Sequence, residues 1–219
     1  MNPPPARQLP WTIGVGLGLL VLTLALVALL AGLKSRIARG PRLPVYGQVG
    51  EFTLTNQAGA AISLADLRGR VWAADIIFTR CAGPCLRMSR QMREIQDALP
   101  HPSPAKLVSL TTDPDFDTPP VLAKYGERFG ADTNRWMFLT GTRETVGHLA
   151  ARGLKLAGVA TKPEDRTSPG DLFVHSTIFV VVDPRGQLRG IFQTGGEGVD
   201  WQIEKQKILL TIRQLEREP

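Results

Sequence analysis

The chain has 219 residues, 26 Lys and Arg against 20 Asp and Glu for a net charge of +6, and two cysteines. Five of the positive charges, Arg7, Lys34, Arg36, Arg39 and Arg42, fall in the first 42 residues, which hold no acid, and leave 21 basic against 20 acidic residues in the remainder. The basic balance is therefore a local collar and not a property of the folded part, which excludes a nucleic-acid-binding face.

Residues 1–10 are a proline-rich tail carrying one charge, Arg7. Residues 11–33 follow with no charged side chain, enough to cross a bilayer, for which about 20 apolar residues suffice. The absence of a polar face excludes a buried core helix, and no small-x-small cleavage site precedes Lys34, so an uncleaved anchor is expected in preference to a signal peptide. Four of the five flanking charges follow the span, and the positive-inside tendency would keep the rest of the chain in the cytosol. Long C-terminal domains translocate regardless of such charges, so the rule does not decide sidedness here.

Residues 34–47 read as a basic, proline-containing linker and residues 48–219 as one domain, long enough for a proper core. Within it, FTLTNQAGAAISL reads as two short strands around an Asn-Gln-Ala-Gly turn. The run VWAADIIF, residues 71–78, is mostly apolar and fits a buried strand. A helix follows it, with Met88, Met92, Ile95 and Leu99 on one face and Pro100 as its stop.

Residues 106–111 form the next expected strand, and Asp117 or Thr118 the cap of a helix whose apolar face is Leu122, Tyr125 and Phe129. Residues 136–139 read as a strand, 142–152 as a helix capped by Gly153, and 155–171 as a loop. Strands at 176–182 and 187–193 flank Asp183-Pro184-Arg185-Gly186 as a hairpin, and an amphipathic helix at 201–215 closes the chain. This order predicts an α/β, thioredoxin-like fold with an N-terminal β-hairpin addition, preceded by a single transmembrane helix.

The chemistry concentrates at Cys81 and Cys85, at the junction of the strand 71–78 with its helix. Free backbone N–H groups and the helix dipole at such a junction favour thiolate, the reactive and metal-binding form. A spacing of four residues puts the two Cα atoms roughly 6 Å apart in a helix, so a disulfide or a shared soft metal is open to them. Two buried structural cysteines are the plainer alternative. Among the histidines, His101 lies between two prolines and His148 within a helix, and both read as structural or solvated. His175 differs, standing immediately before the strand 176–182, where sheet ends converge. Asp113 and Asp117 read as turn and capping residues, and Arg80 as either a support for the Cys81 thiolate or a surface charge.

The segments FTRCAGPC (78–85), TDPDFDTP (112–119), WMFLTG (136–141) and VHST (174–177) occur in the order of the Sco/SenC family, which the chain resembles over about residues 48–215. The resemblance implies a thioredoxin-fold, membrane-anchored copper protein that assists assembly of the dinuclear copper centre of cytochrome c oxidase. It maps the redox dithiol to Cys81 and Cys85 and the copper ligands to Cys81, Cys85 and His175. Two thiolates and an imidazole suit Cu(I), with Cu(II) feasible given an added ligand. The implied partners are the copper-site subunit of the oxidase and other copper chaperones, with the domain on the non-cytosolic side, periplasmic or intermembrane. The chain departs from the family pattern in having Leu86 after the second cysteine, where proline is usual, and Pro84 before it. A general membrane-anchored thiol:disulfide oxidoreductase is the competing reading. A thiol peroxidase would place a proline where Ala74 stands. A simple thioredoxin would have two residues between its cysteines and a proline at the place of His175.

Overall fold

The computed structural model describes residues 11–38, 42–81, 83–156, 159–160, 173–174 and 177–218, in two compact units, Met1–Arg42 and Leu43–Pro219. In the first unit, helix α1 spans Trp11–Ala38 and so continues through Lys34 and Arg36. Its stretch Ile13–Gly32 has a mean hydropathy of 2.7, long and apolar enough to cross a membrane.

The second unit is built on an eight-stranded sheet: β1 (Gly47–Gln48), β2 (Thr53–Asn56), β3 (Ala61–Ser63), β4 (Trp72–Ile77), β5 (Lys106–Thr111), β6 (Trp136–Thr140), β9 (Ile178–Val182) and β10 (Gln187–Gln193). Its spatial order is β1-β10-β9-β4-β5-β6-β2-β3. Strands β4, β5 and β6 are parallel, and β9 runs antiparallel to β4 with Trp72 opposite Val182 and Ala74 opposite Val180. The pair β7 (Val159–Ala160) and β8 (Phe173–Val174) forms a separate antiparallel ribbon, with β7 inside the segment 155–171 expected to be a loop and β8 just beyond it.

The two-residue alternation of a strand sorts these side chains into two cores. On one face Ala73, Ile77, Leu107, Trp136, Phe138 and Phe179 meet helices α3 (Pro84–Ala98), α4 (Pro119–Arg128) and α6 (Trp201–Leu215). On the other, Trp72, Ala74, Ile76, Val108, Leu110 and Leu139 meet α2 (Leu64–Leu67) and α5 (Arg143–His148). Helix α3 buries Met88, Met92 and Ile95 as its periodicity requires, and the Asp200 carboxylate caps α6 by accepting from the Gln202 and Ile203 N–H groups. This is the thioredoxin-like arrangement expected, with the β2–β3 hairpin added beside β6.

Two local readings need correction, and two short elements went unread. Thr118 stands at the cap position of α4 but its side chain makes no capping bond, and Pro119 starts the helix instead by its preset φ. Helix α5 does not end in a left-handed glycine; it passes into a π-helical turn, Leu149–Gly153, and Lys155 takes the positive φ of 56°. Strand β1 and helix α2 carry no sequence pattern long enough to announce them. Strand β1 is placed by its pairing to β10, backed by the buried Arg189, which donates to the Leu43 and Pro44 carbonyls and to Asp183 and Glu218. Removing one partner of so buried an ion pair costs about 3–5 kcal/mol, so this arginine holds the start of the domain firmly onto the sheet.

Candidate functional site

Strand β4 delivers the chain to the dithiol. Beyond Ile77, the Cys81 N–H returns to the Phe78 carbonyl at 3.2 Å and turns the backbone toward α3. Gly83 is the N-cap and Pro84 the first helical residue, so Cys85 lies in the first turn while Cys81 precedes the helix. The two thiols are not joined in a disulfide and are buried, Cys81 with 5% of its surface exposed. The Cys85 N–H donates to Cys81 Sγ at 3.5 Å. The cysteines thus meet through a cap contact and not as neighbours on one helical face.

The expected thiolate at this helix start does not extend to Cys85. Its hydrogen bond with Cys81 and then its burial push the Cys85 thiol far above the ordinary range. Desolvation disfavours the charged form, and in an apolar core one favourable backbone contact does not offset it.

The loop after β5 clamps this turn. Asp117, fully buried, accepts from the Thr79 N–H at 3.1 Å, from Thr79 Oγ1 and from Thr111 Oγ1. Burial raises its pKa even so. Asp117 therefore ties the cysteine turn to β5 and does not cap α4. Asp113 makes the turn expected of it through its carbonyl, which accepts from the Phe116 and Asp117 N–H groups, while its carboxylate pairs with Arg80. The Arg80 guanidinium lies 4.2 Å over the Phe116 ring, so it is engaged by Asp113 and Phe116.

One group escaped the sequence reading. Asp75 interrupts the apolar run of β4 and faces the same core as Cys85, Trp136 and Phe138, fully buried. Ser109, its register partner on β5, donates to Asp75 Oδ1 at 2.6 Å, and Trp136 Nε1 donates to Ser109 Oγ at 2.9 Å. Oδ2 has no partner among the described residues, and burial raises the carboxyl to about 7. A charged residue inside a run otherwise fit for a central strand was the available signal.

Antiparallel pairing of β9 with β4 brings the start of β9 to the sheet end that carries the dithiol. There Thr177 Oγ1 donates to the Gly195 carbonyl at 2.9 Å and Thr194 N–H to the Thr177 carbonyl at 2.7 Å. His175 itself lies outside the described residues. His101 pairs with buried Arg135 (Nη2 to Nδ1, 3.3 Å), a structural use, and exposed His148 lines a shallow pocket with Glu51 and Glu144. Among the described residues no three His, Cys, Asp or Glu side chains gather into a metal-binding group.

The family model described as SCO1/SenC matches residues 45–207. The chain belongs to the SCO1/SenC family. A SCO1 protein homolog of Bacillus subtilis (strain 168) is 32% identical over 147 residues, 66% of this chain and 73% of that one. Among solved structures, BsSco, a member of the Sco family of cytochrome c oxidase assembly proteins in which a disulfide switch was identified, aligns with a TM-score of 0.68. It shares 28% identity, over 82% of this chain and 99% of that chain. Bradyrhizobium japonicum ScoI, solved with copper bound, aligns with a TM-score of 0.59 at 17% identity, over 77% of this chain and 99% of its own, and bears on the fold alone. Membership agrees with the resemblance carried by the cysteine, acidic-loop and His-Ser-Thr segments.

Proposed function

We propose that this SCO1/SenC chain carries copper as cargo to cytochrome c oxidase during assembly of its dinuclear copper centre, anchored to a membrane by residues 11–33. The observation that carries the reading is the pair of reduced thiols, Cys81 and Cys85, held together at the end of β4 in a member of this family. Soft sulfur donors select Cu(I) over hard cations, and His175 is the third ligand of the proposed site. A three-ligand set leaves a coordination position through which an acceptor's own ligands enter, so the metal passes by exchange of ligands. Burial keeps water from competing for the thiols, and metal binding displaces the proton held on Cys85.

Oxidation of the pair by a partner's disulfide transfers two electrons to that disulfide, joins Cys81 to Cys85 and passes both thiol protons to the thiolates released on the partner. The disulfide has no thiolate charge left for a soft cation. Competition titrations of the full chain in detergent micelles test this. The reduced form binds Cu(I) tightly and the disulfide form does not, and Cys81→Ser and His175→Ala each weaken binding by at least about 10- to 100-fold, as loss of groups at other metal sites does. Equal affinity of oxidised and reduced forms, or an unchanged His175→Ala, would turn the reading toward a general thiol:disulfide oxidoreductase.

A further inference from the structure

The rim of the dithiol carries an aromatic side chain that the site itself does not use. Phe116, in the loop between β5 and α4, leaves 43% of its surface exposed. Single exposed apolar residues are common on any protein, but this ring is held in place. The Arg80 guanidinium stacks over it at 4.2 Å and is fixed in turn by Asp113. Behind the ring, the Phe116 N–H donates to the Asp113 carbonyl at 3.1 Å and the Thr118 N–H to the Phe116 carbonyl at 2.8 Å. Asp117, next in sequence, is tied to Thr79. The side-chain entropy that docking normally removes is thus largely spent before any partner arrives.

Charge extends this surface across the dithiol. The Arg80 side chain is 46% exposed, with Asp113 as its one acid among the described residues. Arg87, two residues beyond Cys85, is exposed, has no acid partner among the described residues, and lays its guanidinium against Gly195 beside Thr177. The dithiol therefore sits between a guanidinium-aromatic plate on the β5–α4 side and the exposed Arg87 guanidinium on the β9–β10 side. Arginine and aromatic side chains dominate binding energy at protein interfaces, and guanidinium groups match carboxylates in bidentate geometry. A bilayer headgroup layer would use the charges alone, whereas a pre-ordered ring suits a shaped apolar pocket.

We propose that Phe116, Arg80 and Arg87 form the docking surface for an acidic protein partner, one with carboxylates bordering an apolar pocket, which seats over Cys81 and Cys85. The proposal rests on the copper-delivery reading, under which that partner is the copper-binding domain of the oxidase. The test loads the full chain with Cu(I) in detergent micelles and follows copper transfer to two acceptors, the soluble oxidase domain and dithiothreitol, a small neutral Cu(I) ligand. Phe116→Ala and Arg87→Gln each slow transfer to the domain by at least about tenfold, the effect of losing one interface anchor, and leave removal by dithiothreitol unchanged. Added salt slows wild-type transfer to the domain and has less effect on Arg87→Gln. Phe116→Tyr, which keeps the ring, restores the rate. Unslowed transfer in both variants overturns the proposal, and so does equal slowing toward both acceptors, which would mean that the side chains act on the dithiol itself. A wild-type chain that holds copper but passes none to the domain refutes the delivery reading, and this partner falls with it.

Discussion

Replacing Asp75 by asparagine isolates a buried carboxyl whose pKa burial raises to about 7. In an unfolded chain the group ionises around its ordinary value of 3.8, and in the folded protein around 7. At about 1.4 kcal/mol per pH unit, that difference is worth roughly 4 kcal/mol. The folded pKa is raised, so the folded state holds a proton that the unfolded chain has released. Stability from this source is complete below about pH 4 and is lost as pH rises through about 7. Asparagine keeps an acceptor for Ser109 but sets an amide NH2 where Oδ2 has no partner among the described residues, at a pH-independent cost of about 1–3 kcal/mol. Wild type is therefore the more stable protein at about pH 4, where little of this stability has been lost, and the gap closes or reverses by about pH 8. Urea midpoints of the reduced full chain in micelles, read from the fluorescence of the buried Trp72 and Trp136, measure both profiles. Asp117, also raised by burial, is present in both proteins, so the difference between the profiles belongs to Asp75. Parallel profiles from pH 4 to pH 8 would refute the assignment.

The remaining predictions concern the clamp and the anchor. Asp117→Ala orphans the Thr79 N–H and two hydroxyls and lowers stability by about 1–3 kcal/mol or more. It also frees the cysteine turn, so amide exchange at Thr79 rises more than exchange at Met92 in α3; equal protection at both in the variant would show that Asp117 does not hold the turn. For sidedness, residues 48–219 are expected outside the cytosol, so a reporter fused after Pro219 is active there; activity confined to the cytosol would return the decision to the basic residues that follow the span.

The elements that announced themselves in the sequence are those whose cause is local. Helix α3 follows from Met88, Met92 and Ile95 on one stripe, α6 from its periodicity and the hairpin β9–β10 from Asp183 to Gly186, because period and turn chemistry act within a few residues. Cys81 and Cys85 were legible for the same reason: their strand, their proline-started helix and their spacing are adjacent in the chain. What tertiary structure decided are relations between distant residues. A period of two assigns Asp75 to a face of β4 but does not name Ser109 as its partner, which depends on the parallel register with β5. Asp117 read as a cap because caps are local, yet its carboxylate is claimed by Thr79, 38 residues earlier. Strand β1 exists only because β10 offers an edge to its two residues. The helix start that favours a thiolate could be read from the sequence; the burial and the Cys81 contact that outweigh it at Cys85 exist only once both cores have closed around β4, because desolvation is a property of everything packed against a group and not of its neighbours in the chain.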